Sequence, residues 1–167
     1  MEYVCAMVRT LDLYLTPLGR RDDWGRPVGG LASIWKPNGA VHVGMPDFGI
    51  INLTIEELES APTQDLGDWE DVVEMGLQAA EELPVTVSSL GFEKEEDGPP
   101  VILTSQRERS FRLRISAQGR DNANYKKAIS SFQKLDCRFH IQIWPSEFAE
   151  PLQLRVSSDE ARKRSRP

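Results

Sequence analysis

Neighbouring carboxylates are the most frequent groups in this sequence that could do chemistry. They occur as the pairs Glu56-Glu57, Glu70-Asp71, Glu81-Glu82 and Glu95-Glu96. Two carboxylates of different pKa in one cleft can serve as acid and base in glycoside hydrolysis. Acidic runs of this kind are more often solvated faces, because like charges repel one another and are well hydrated at a surface. We therefore predict that this stretch supplies no catalytic residues.

Two histidines and two cysteines are the residues most able to hold zinc. They are His42, His140, Cys5 and Cys137. Structural zinc sites use closely spaced ligands, such as Cys-x-x-Cys or two histidines within a helical turn, and neither spacing occurs here. Cys137 and His140 are three residues apart on an expected strand, where such positions face opposite sides. We predict no metal site and no cofactor, and a Cys–His nucleophile lacks an evident third partner.

The arginine and aspartate after Gly119 are candidates for ligand binding. Arg120 could grip a carboxylate with its planar guanidinium, and Asp121 could position a substrate. The structural interpretation is a turn that leaves a strand, because turns commonly use Gly and Asp. Arg112 and Arg114 share one face of the preceding strand, and with Arg120 they could meet an anionic ligand. No Walker-type loop, Gly-x-Ser-x-Gly or His-Glu-x-x-His motif is present, so the sequence favours a protein that is not an enzyme.

Charge is distributed very unevenly along the chain. The 167 residues include 26 Asp plus Glu and 20 Lys plus Arg, for a net charge of −6. Residues 56–97 contain fourteen acids and one base, whereas residues 98–144 contain nine bases and three acids. Two arrangements fit this pattern: the blocks pair within one fold, or they form separate faces. Separate faces would leave an acidic surface that includes Glu70, Asp71 and Glu74.

Composition and length limit the class of protein. Apolar residues make up 40% and charged residues 28% of the chain, which is enough to bury the core of one domain. No apolar run approaches the roughly 20 residues that cross a bilayer, and the first fifteen residues do not match a signal peptide. Two cysteines are too few for a disulfide scaffold, so we expect a reduced, cytoplasmic protein with no membrane contact. Because the chain is acidic, we expect no binding to nucleic acid.

Short β-like runs separated by turn residues recur along the chain. They cover residues 3–15, 31–35, 40–43, 49–58, 85–90, 101–104, 111–117 and 139–144. Asn38-Gly39 separates two of them and predicts a hairpin, because both residues tolerate positive φ. The pattern predicts a mainly β fold, either an antiparallel β-sandwich or a partly open barrel, with at most one or two short helices. We expect one β-rich domain over residues 1–156 and a disordered basic tail over residues 157–167.

The segment Trp69–Leu83 fits both a helix and a strand. Its apolar residues recur at helical spacing around Val72 and Val73, but they also alternate as far as Leu77. Gly76 would cost a helix about 1 kcal/mol relative to Ala. The pattern alone does not decide between a helix and a strand for this segment.

Two stretches in the second half of the chain end expected strands in a distinctive way. One is Ala117-Gln118-Gly119-Arg120-Asp121, and the other is Gln142-Ile143-Trp144-Pro145. Together they resemble a strand pair, Ala-x-Gly-Arg-Asp followed by Gln-x-Trp-Pro, that recurs in small, uncharacterised bacterial proteins. Residues 67–74 also resemble the middle region of those proteins, which favours a strand for Trp69–Leu77. The resemblance covers the last two-thirds of the chain, although the insert at residues 122–136 is longer here, and it implies a fold but no activity.

Two hypotheses of function, from different classes, follow from these residues. The first is a non-catalytic protein-binding module, such as an inhibitor or immunity-type protein, whose acids Glu70, Asp71 and Glu74 bind a basic partner. The hypothesis rests on the fourteen acids of residues 56–97, and it fails if Glu70, Asp71 and Glu74 form internal salt bridges with Arg112 and Arg114. The second is a binding protein or enzyme for a small anionic ligand, which requires a deep pocket between the sheets with converging polar groups. The charge pattern favours the first, and the sequence does not indicate an oligomeric state.

Overall fold

The computed structural model describes nine stretches of the chain, and they are mainly β. The described residues are 2–7, 11–14, 25–35, 40–44, 50–78, 86–89, 101–102, 110–122 and 134–165. They form eleven strands and one short helix, which confirms the predicted mainly β fold with few helices. No helix among these residues is long and apolar enough to span a membrane.

Six strands form the first sheet. They are β1 (Glu2–Met7), β5 (Ile50–Glu57), β6 (Asp71–Gln78), β9 (Ser110–Gln118), β10 (Lys134–Pro145) and β11 (Leu152–Val156). Their spatial order is β1-β5-β10-β9-β6-β11, and all neighbours are antiparallel except β5 and β10, which are parallel. One pair in this otherwise antiparallel sheet, β5 and β10, is therefore parallel. Parallel neighbours need a long connection, and here four other strands lie between them in the chain.

Five shorter strands form the second sheet. They are β2 (Leu11–Tyr14), β3 (Ala32–Trp35), β4 (Ala40–Val43), β7 (Thr86–Ser89) and β8 (Val101–Ile102). Their order is β3-β4-β2-β7-β8, with every neighbouring pair antiparallel, and neither sheet closes into a barrel over the described residues. The strands predicted to flank Asn38-Gly39 are confirmed as the β3–β4 pair, while the turn itself lies outside the described residues.

Alternate residues of both sheets meet in one hydrophobic core. Its members include Phe111, Leu113, Ile115 and Ala117 of β9, Phe139, Ile141 and Ile143 of β10, Ile51, Leu53 and Ile55 of β5, and Val41 and Val43 of β4. The period of two along each strand places these side chains on the inner face, as the sequence predicts for β5, β9 and β10. Burial of one such Leu, Ile or Phe side chain stabilises the fold by about 1.5–3 kcal/mol.

Irregular segments cover the outer face of the six-stranded sheet at its centre. Arg112 and Arg114 point to that face, yet they are only 7% and 8% exposed. The guanidinium of Arg114 donates to the carbonyl of Thr63 at 2.7 Å, and that of Arg112 donates to the carbonyl of Ala149 at 2.9 Å. The segments that carry Thr63 and Ala149 therefore lie over these arginines. An arginine-bearing strand face, which usually meets solvent, is buried here.

Strand β6 decides between the two alternatives for the segment Trp69–Leu83. Asp71–Gln78 is a strand buried at most of its positions, as the comparison with the bacterial strand pair favoured. Gly76 lies where the backbone of another segment comes close, since a Cβ there would be 2.2 Å from the carbonyl oxygen of Ala149. Residues 79–83 lie outside the described residues.

The described part of the C-terminal segment, residues 157–165, is folded, whereas a disordered tail was predicted over residues 157–167. After β11, which pairs with β6, the chain forms the helix α1 (Asp159–Arg164). The side chain of Ser158 accepts a hydrogen bond from the Ala161 amide at 3.0 Å and caps this helix. Because Ala161 is fully buried, α1 packs against the domain and belongs to it. Residues 166–167 lie outside the described residues.

Candidate functional site

The carboxylate of Glu74 is held between two arginines of the next strand. Its Oε1 atom lies 2.9 Å from Arg114 Nη2, and its Oε2 atom lies 3.1 Å from Arg112 Nε. Strands β6 and β9 pair so that Glu74 is opposite Arg114 and Gly76 is opposite Arg112, which brings the three charged side chains onto one face. None of these three side chains is more than 13% exposed. They form an internal ion-pair network.

The remaining donors of these arginines hold the covering segments in place. Arg112 Nη1 donates to the carbonyl of Glu150 at 2.8 Å, besides its bond to Ala149. The guanidinium of Arg114 lies 6.0 Å from the ring centre of Trp144, within cation–π range. Since a buried guanidinium is costly unless its donors are used, these contacts explain how both arginines can be buried. They direct the two groups toward acceptors of the protein itself.

Asp71 and Arg120 form a second network, close to β11. Both side chains are 0% exposed, and Arg120 Nη1 lies 2.9 Å from Asp71 Oδ2. Arg120 Nη2 donates to the carbonyl of Gly30 at 2.9 Å. The other carboxylate oxygen of Asp71 accepts hydrogen bonds from the backbone amides of Ser157 at 3.0 Å and Ser158 at 3.1 Å. One buried ion pair therefore joins parts of the chain that are distant in sequence.

Asp121 stabilises the start of the C-terminal helix from outside it. Its carboxylate accepts hydrogen bonds from the backbone amides of Asp159 at 2.9 Å and Glu160 at 2.8 Å. Burial acts to raise the pKa of Asp121, but these two amides and the positive charges of Lys163 and Arg120 together outweigh it and lower the pKa. The negative charge of Asp121 thus has a structural use at the helix N-terminus.

The seven residues predicted to bind a partner or ligand all make contacts within the fold, but in separate groups and not in one site. They are Glu70, Asp71, Glu74, Arg112, Arg114, Arg120 and Asp121. Glu70 accepts a hydrogen bond from the Gly119 amide at 2.9 Å. Salt bridges with Arg112 and Arg114 were the observation that would argue against an acidic binding surface. Glu74 forms such a salt bridge with each of these two arginines. The observed contacts of the Gly-Arg-Asp sequence agree with its interpretation as a turn paired to nearby backbone.

Three other acids lie at the carboxyl ends of β5 and β10. Because these strands are parallel and Ile143 is level with Glu57, both leave the sheet at the same edge. Glu57 ends β5, Glu59 follows it, and Glu147 follows β10. All three residues are exposed, and within the described residues none forms an ion pair with Lys or Arg. We call Glu57, Glu59 and Glu147 the acidic end.

A cleft of about 200 Å³ opens beside the acidic end. Its lining consists of Glu57, Leu58, Glu59, Phe111, Ile143, Trp144 and Pro145. Glu57 is in phase with the buried Ile55, so strand alternation places it on the core side at the point where the sheet ends. Burial raises the pKa of Glu57 by more than the positive charge of the chain's amino terminus lowers it. The cleft therefore combines apolar walls with carboxylates.

A polar cluster that the sequence does not single out lies on the outer face of β10. His140 Nε2 lies 3.1 Å from Glu56 Oε2, and the His140 ring centre lies 6.0 Å from that of Trp69. Arg138 lies over the Trp69 ring at 4.6 Å and donates twice to Asp68, at 2.9 and 3.0 Å. The alternation of Arg138 and His140 along the strand could have indicated that they share one face. Their contact partners, however, follow only from the order of the strands in the sheet. These contacts hold the loop that carries Trp69 against the sheet.

Metal binding and thiol chemistry have little support from the side chains that the structure describes. No group of three or more His, Cys, Asp or Glu side chains among them could hold a metal ion. Cys137 is 3% exposed, and burial raises the pKa of its thiol to about 12. The thiol is therefore protonated at neutral pH, and a protonated thiol is a poor nucleophile.

The two stretches that resemble the bacterial strand pair lie at the ends of β9 and β10, which pair with each other antiparallel. No protein-family model, curated protein or solved structure matches this chain. The resemblance therefore stays a prediction, and function has to be inferred from the geometry of the residues themselves.

Proposed function

We propose that this chain is a non-catalytic module that binds a basic protein partner through the acidic end. The observation that carries the proposal is a contrast in pairing. Glu70, Asp71 and Glu74 contact donors within the fold, whereas the three acids of the acidic end are exposed and, within the described residues, form no ion pair with Lys or Arg. An inhibitor or immunity-type protein would act on a basic target in this way. We expect it to do so in the cytoplasm, since two cysteines are too few for a disulfide scaffold.

The acidic end lies on backbone that is already ordered by hydrogen bonds. Glu57 and Glu59 flank Leu58, whose amide donates to the carbonyl of Ile143 at 2.8 Å. Glu147 follows Ser146, whose amide donates to the carbonyl of Ser110 at 3.2 Å. Because little backbone needs to be ordered when a partner docks, the entropic cost of binding is reduced.

Exposed carboxylates of this kind affect the rate and selectivity of association. A patch of one sign attracts partners of the opposite sign over about 8 Å at physiological ionic strength. It also disfavours partners of the same sign, so it selects basic proteins more than it adds affinity. The affinity itself must come from closer contacts, for which the neighbouring apolar cleft is available.

The alternative, a binder or enzyme for a small anionic ligand, has weaker support. Its expected ligand-binding groups, Arg112, Arg114 and Arg120, all contact acceptors within the fold. The cleft beside the acidic end is about 200 Å³, below the about 300–1,000 Å³ of typical small-molecule pockets. Its charged groups are carboxylates, which would repel an anion. The geometry therefore favours a cationic partner.

Capture of partners from a lysate of the native host, with the wild-type protein and two variants, tests the proposal. One variant, Glu57→Gln with Glu59→Gln and Glu147→Gln, removes the charges of the acidic end and conserves side-chain size. The control, Asp136→Asn, removes an exposed acid near the start of β10. At about 3.3 Å per residue, that position is about 30 Å from the end of the strand.

We expect one basic protein that binds the wild type and the Asp136→Asn variant but not the triple variant. Raising the salt to about 1 M should release it, because the Debye length then falls to about 3 Å. Equal capture by the triple variant would contradict the proposal, as would the absence of any basic protein at low salt.

A further inference from the structure

Building on the proposed function, we infer that the basic partner also docks an apolar ridge onto Phe148 and Leu152. We call these two residues the apolar patch. In this arrangement the apolar patch forms the dry centre of the interface, and Glu147 and Glu150 meet Lys or Arg residues that flank the partner's ridge. The acidic end speeds the encounter, and the apolar patch slows dissociation.

Phe148 and Leu152 are the large hydrophobic residues that the described part of the chain leaves exposed, at 48% and 49%. A Cβ at Gly76 would lie 3.1 Å from Phe148 Cε2, so the ring lies over the outer face of β6. Leu152 is opposite Glu74 of β6 and shares its outer face. Because Glu74 and Gly76 are two residues, or about 7 Å, apart along the strand, Phe148 and Leu152 are neighbours on one surface.

The backbone that carries the apolar patch is fixed by hydrogen bonds. Arg112 Nη1 donates to the carbonyl of Ala149 at 2.9 Å and to that of Glu150 at 2.8 Å. Leu152 is the first residue of β11, which pairs with β6. Ordered backbone of this kind lowers the entropic cost of docking. Aromatic residues are also enriched at the centre of protein interfaces, where charged residues are depleted.

The charges beside the apolar patch fit a basic partner better than a second copy of this chain. Glu147 and Glu150 are exposed and lie on either side of Phe148 in the sequence. Within the described residues, neither forms an ion pair with Lys or Arg. A symmetric dimer through this surface would bring the same patch of each copy together, and the carboxylates with it. A partner with Lys or Arg around its ridge avoids that repulsion.

Nuclear magnetic resonance titration with two synthetic peptides tests the inference without the natural partner. One peptide is an amphipathic helix of leucine and lysine, which presents an apolar stripe flanked by positive charges. In the other, glutamine replaces every leucine, so the charges remain and the apolar stripe is lost. We expect the leucine peptide to shift the ring signals of Phe148 and the methyl signals of Leu152. Its Kd should be at least about tenfold lower than that of the glutamine peptide, a difference of about 1.4 kcal/mol.

The double variant Phe148→Ser with Leu152→Ser should lose this preference for the leucine peptide. The matched control is Gln153→Ser, which changes an exposed residue of the same strand. Gln153 is opposite the core residue Val73, so it lies on the other face of the sheet, and its variant should keep the preference. Equal Kd values of the two peptides for the wild type would overturn the inference, as would a preference that survives in the folded double variant.

Sedimentation of the wild-type protein tests the other occupant of this surface. We expect the sedimentation coefficient to stay that of a monomer as the protein concentration is raised. A dimer that the Phe148→Ser and Leu152→Ser double variant abolishes would overturn the inference, because the apolar patch would then be covered by a second copy.

Binding kinetics of the basic protein captured from the lysate separate this inference from the proposed function. The double variant should keep the wild-type kon and raise koff at least about tenfold, since loss of a close contact acts mainly on dissociation. An unchanged koff would mean that the apolar patch is not used, while the proposed function stands. Wild-type capture by the triple variant of the acidic end would instead contradict the proposed function. Capture of no basic protein would contradict both.

Discussion

The side chains of Asp71 and Arg120 form an ion pair with no exposure to solvent, and the C-terminal helix is anchored to it. Arg120 Nη1 lies 2.9 Å from Asp71 Oδ2, and the same oxygen accepts a hydrogen bond from the hydroxyl of Ser158 at 2.5 Å. Ser158 is also the N-cap of α1. A buried ion pair adds little net stability over apolar residues of the same shape, but removing one partner leaves an uncompensated buried charge. The fold should therefore be sensitive to either residue.

Arg120→Leu is expected to lower the free energy of unfolding by about 3–5 kcal/mol, because the Asp71 carboxylate then loses its buried partner. Urea denaturation measures this change. The control is Arg162→Leu, which removes an exposed arginine paired with Asp159 on α1 and should cost about 0.5 kcal/mol or less. Similar decreases in the free energy of unfolding of the two variants would show that the buried ion pair matters no more for stability than the exposed one.

Gly30 is required where its turn meets the C-terminal helix. It has a φ of 58°, and a Cβ there would lie 2.0 Å from the carbonyl oxygen of Ala161. Gly67 has a similar φ of 55°, but the nearest atom to its Cβ would be 3.9 Å away, on Trp69. We expect Gly67→Ala to cost about 1–2 kcal/mol from backbone conformation alone. Gly30→Ala should lower the free energy of unfolding by more than Gly67→Ala does, because its methyl group would also meet the backbone of Ala161.

Hydrogen exchange of the α1 amides separates these two glycine variants further. Gly30→Ala should accelerate exchange in α1, because the helix must move away from the added methyl group. Gly67→Ala should leave exchange in α1 unchanged. Equal exchange rates in the two variants would mean that α1 does not pack closely on Gly30.

Asp121 should make the stability of the domain depend on pH in the acid range. Its pKa lies below the ordinary 3.8, so folding favours the charged form. The stabilisation is complete above the pKa of the unfolded chain and is lost as the pH falls through the lower pKa of the folded state. The difference in free energy of unfolding between the wild type and Asp121→Asn should thus shrink as the pH falls from neutrality to below 3.8. A difference that stays constant would argue against a role for the charge.

Cys137 should be unreactive in the folded protein. Burial raises its pKa to about 12, so almost no thiolate is present at mildly alkaline pH. In a Cys5→Ser variant, where Cys137 is the single thiol, we expect a thiol reagent to react only after urea is added. Rapid reaction of the native protein would show that the strand around Cys137 opens readily.

Strand periodicity was enough to predict the inner face of the sheet, but not whether its outer face would be exposed or covered. The alternation of Leu113 and Ile115 with Arg112 and Arg114 correctly indicates which side chains meet the core. It carries no information on whether an irregular segment will cover the arginines. That depends on acceptors such as the Thr63 carbonyl, which is distant in sequence.

The sequence alone could not show which acids of the middle block pair with arginine. Glu74 and Glu57 belong to the same acidic run, and nothing local distinguishes them. Glu74 is paired because β6 lies beside β9, where Arg114 is opposite it. Glu57 is opposite Ile143 on β10 instead. Strand order and register are non-local properties, so the acidic end appears only in the folded structure.

The C-terminal helix was missed although its sequence carries local signals. Ser158 precedes two acids, Asp159 and Glu160, and bases fill the last turn, which is the charge order that a helix dipole favours. With six residues and Ala161 as its single buried member, α1 is too short to show an apolar period. Its docking depends on distant groups around Asp71.

The rate of association with the captured basic partner tests the acidic end most directly. We would measure kon for the purified pair at about 10 mM and about 1 M salt, between which the Debye length falls from about 30 to about 3 Å. We predict that the wild-type and Asp136→Asn proteins lose at least about tenfold in kon at high salt. The triple variant at Glu57, Glu59 and Glu147 should associate slowly at both. A triple variant that associates as fast as the wild type at low salt would contradict recognition through the acidic end.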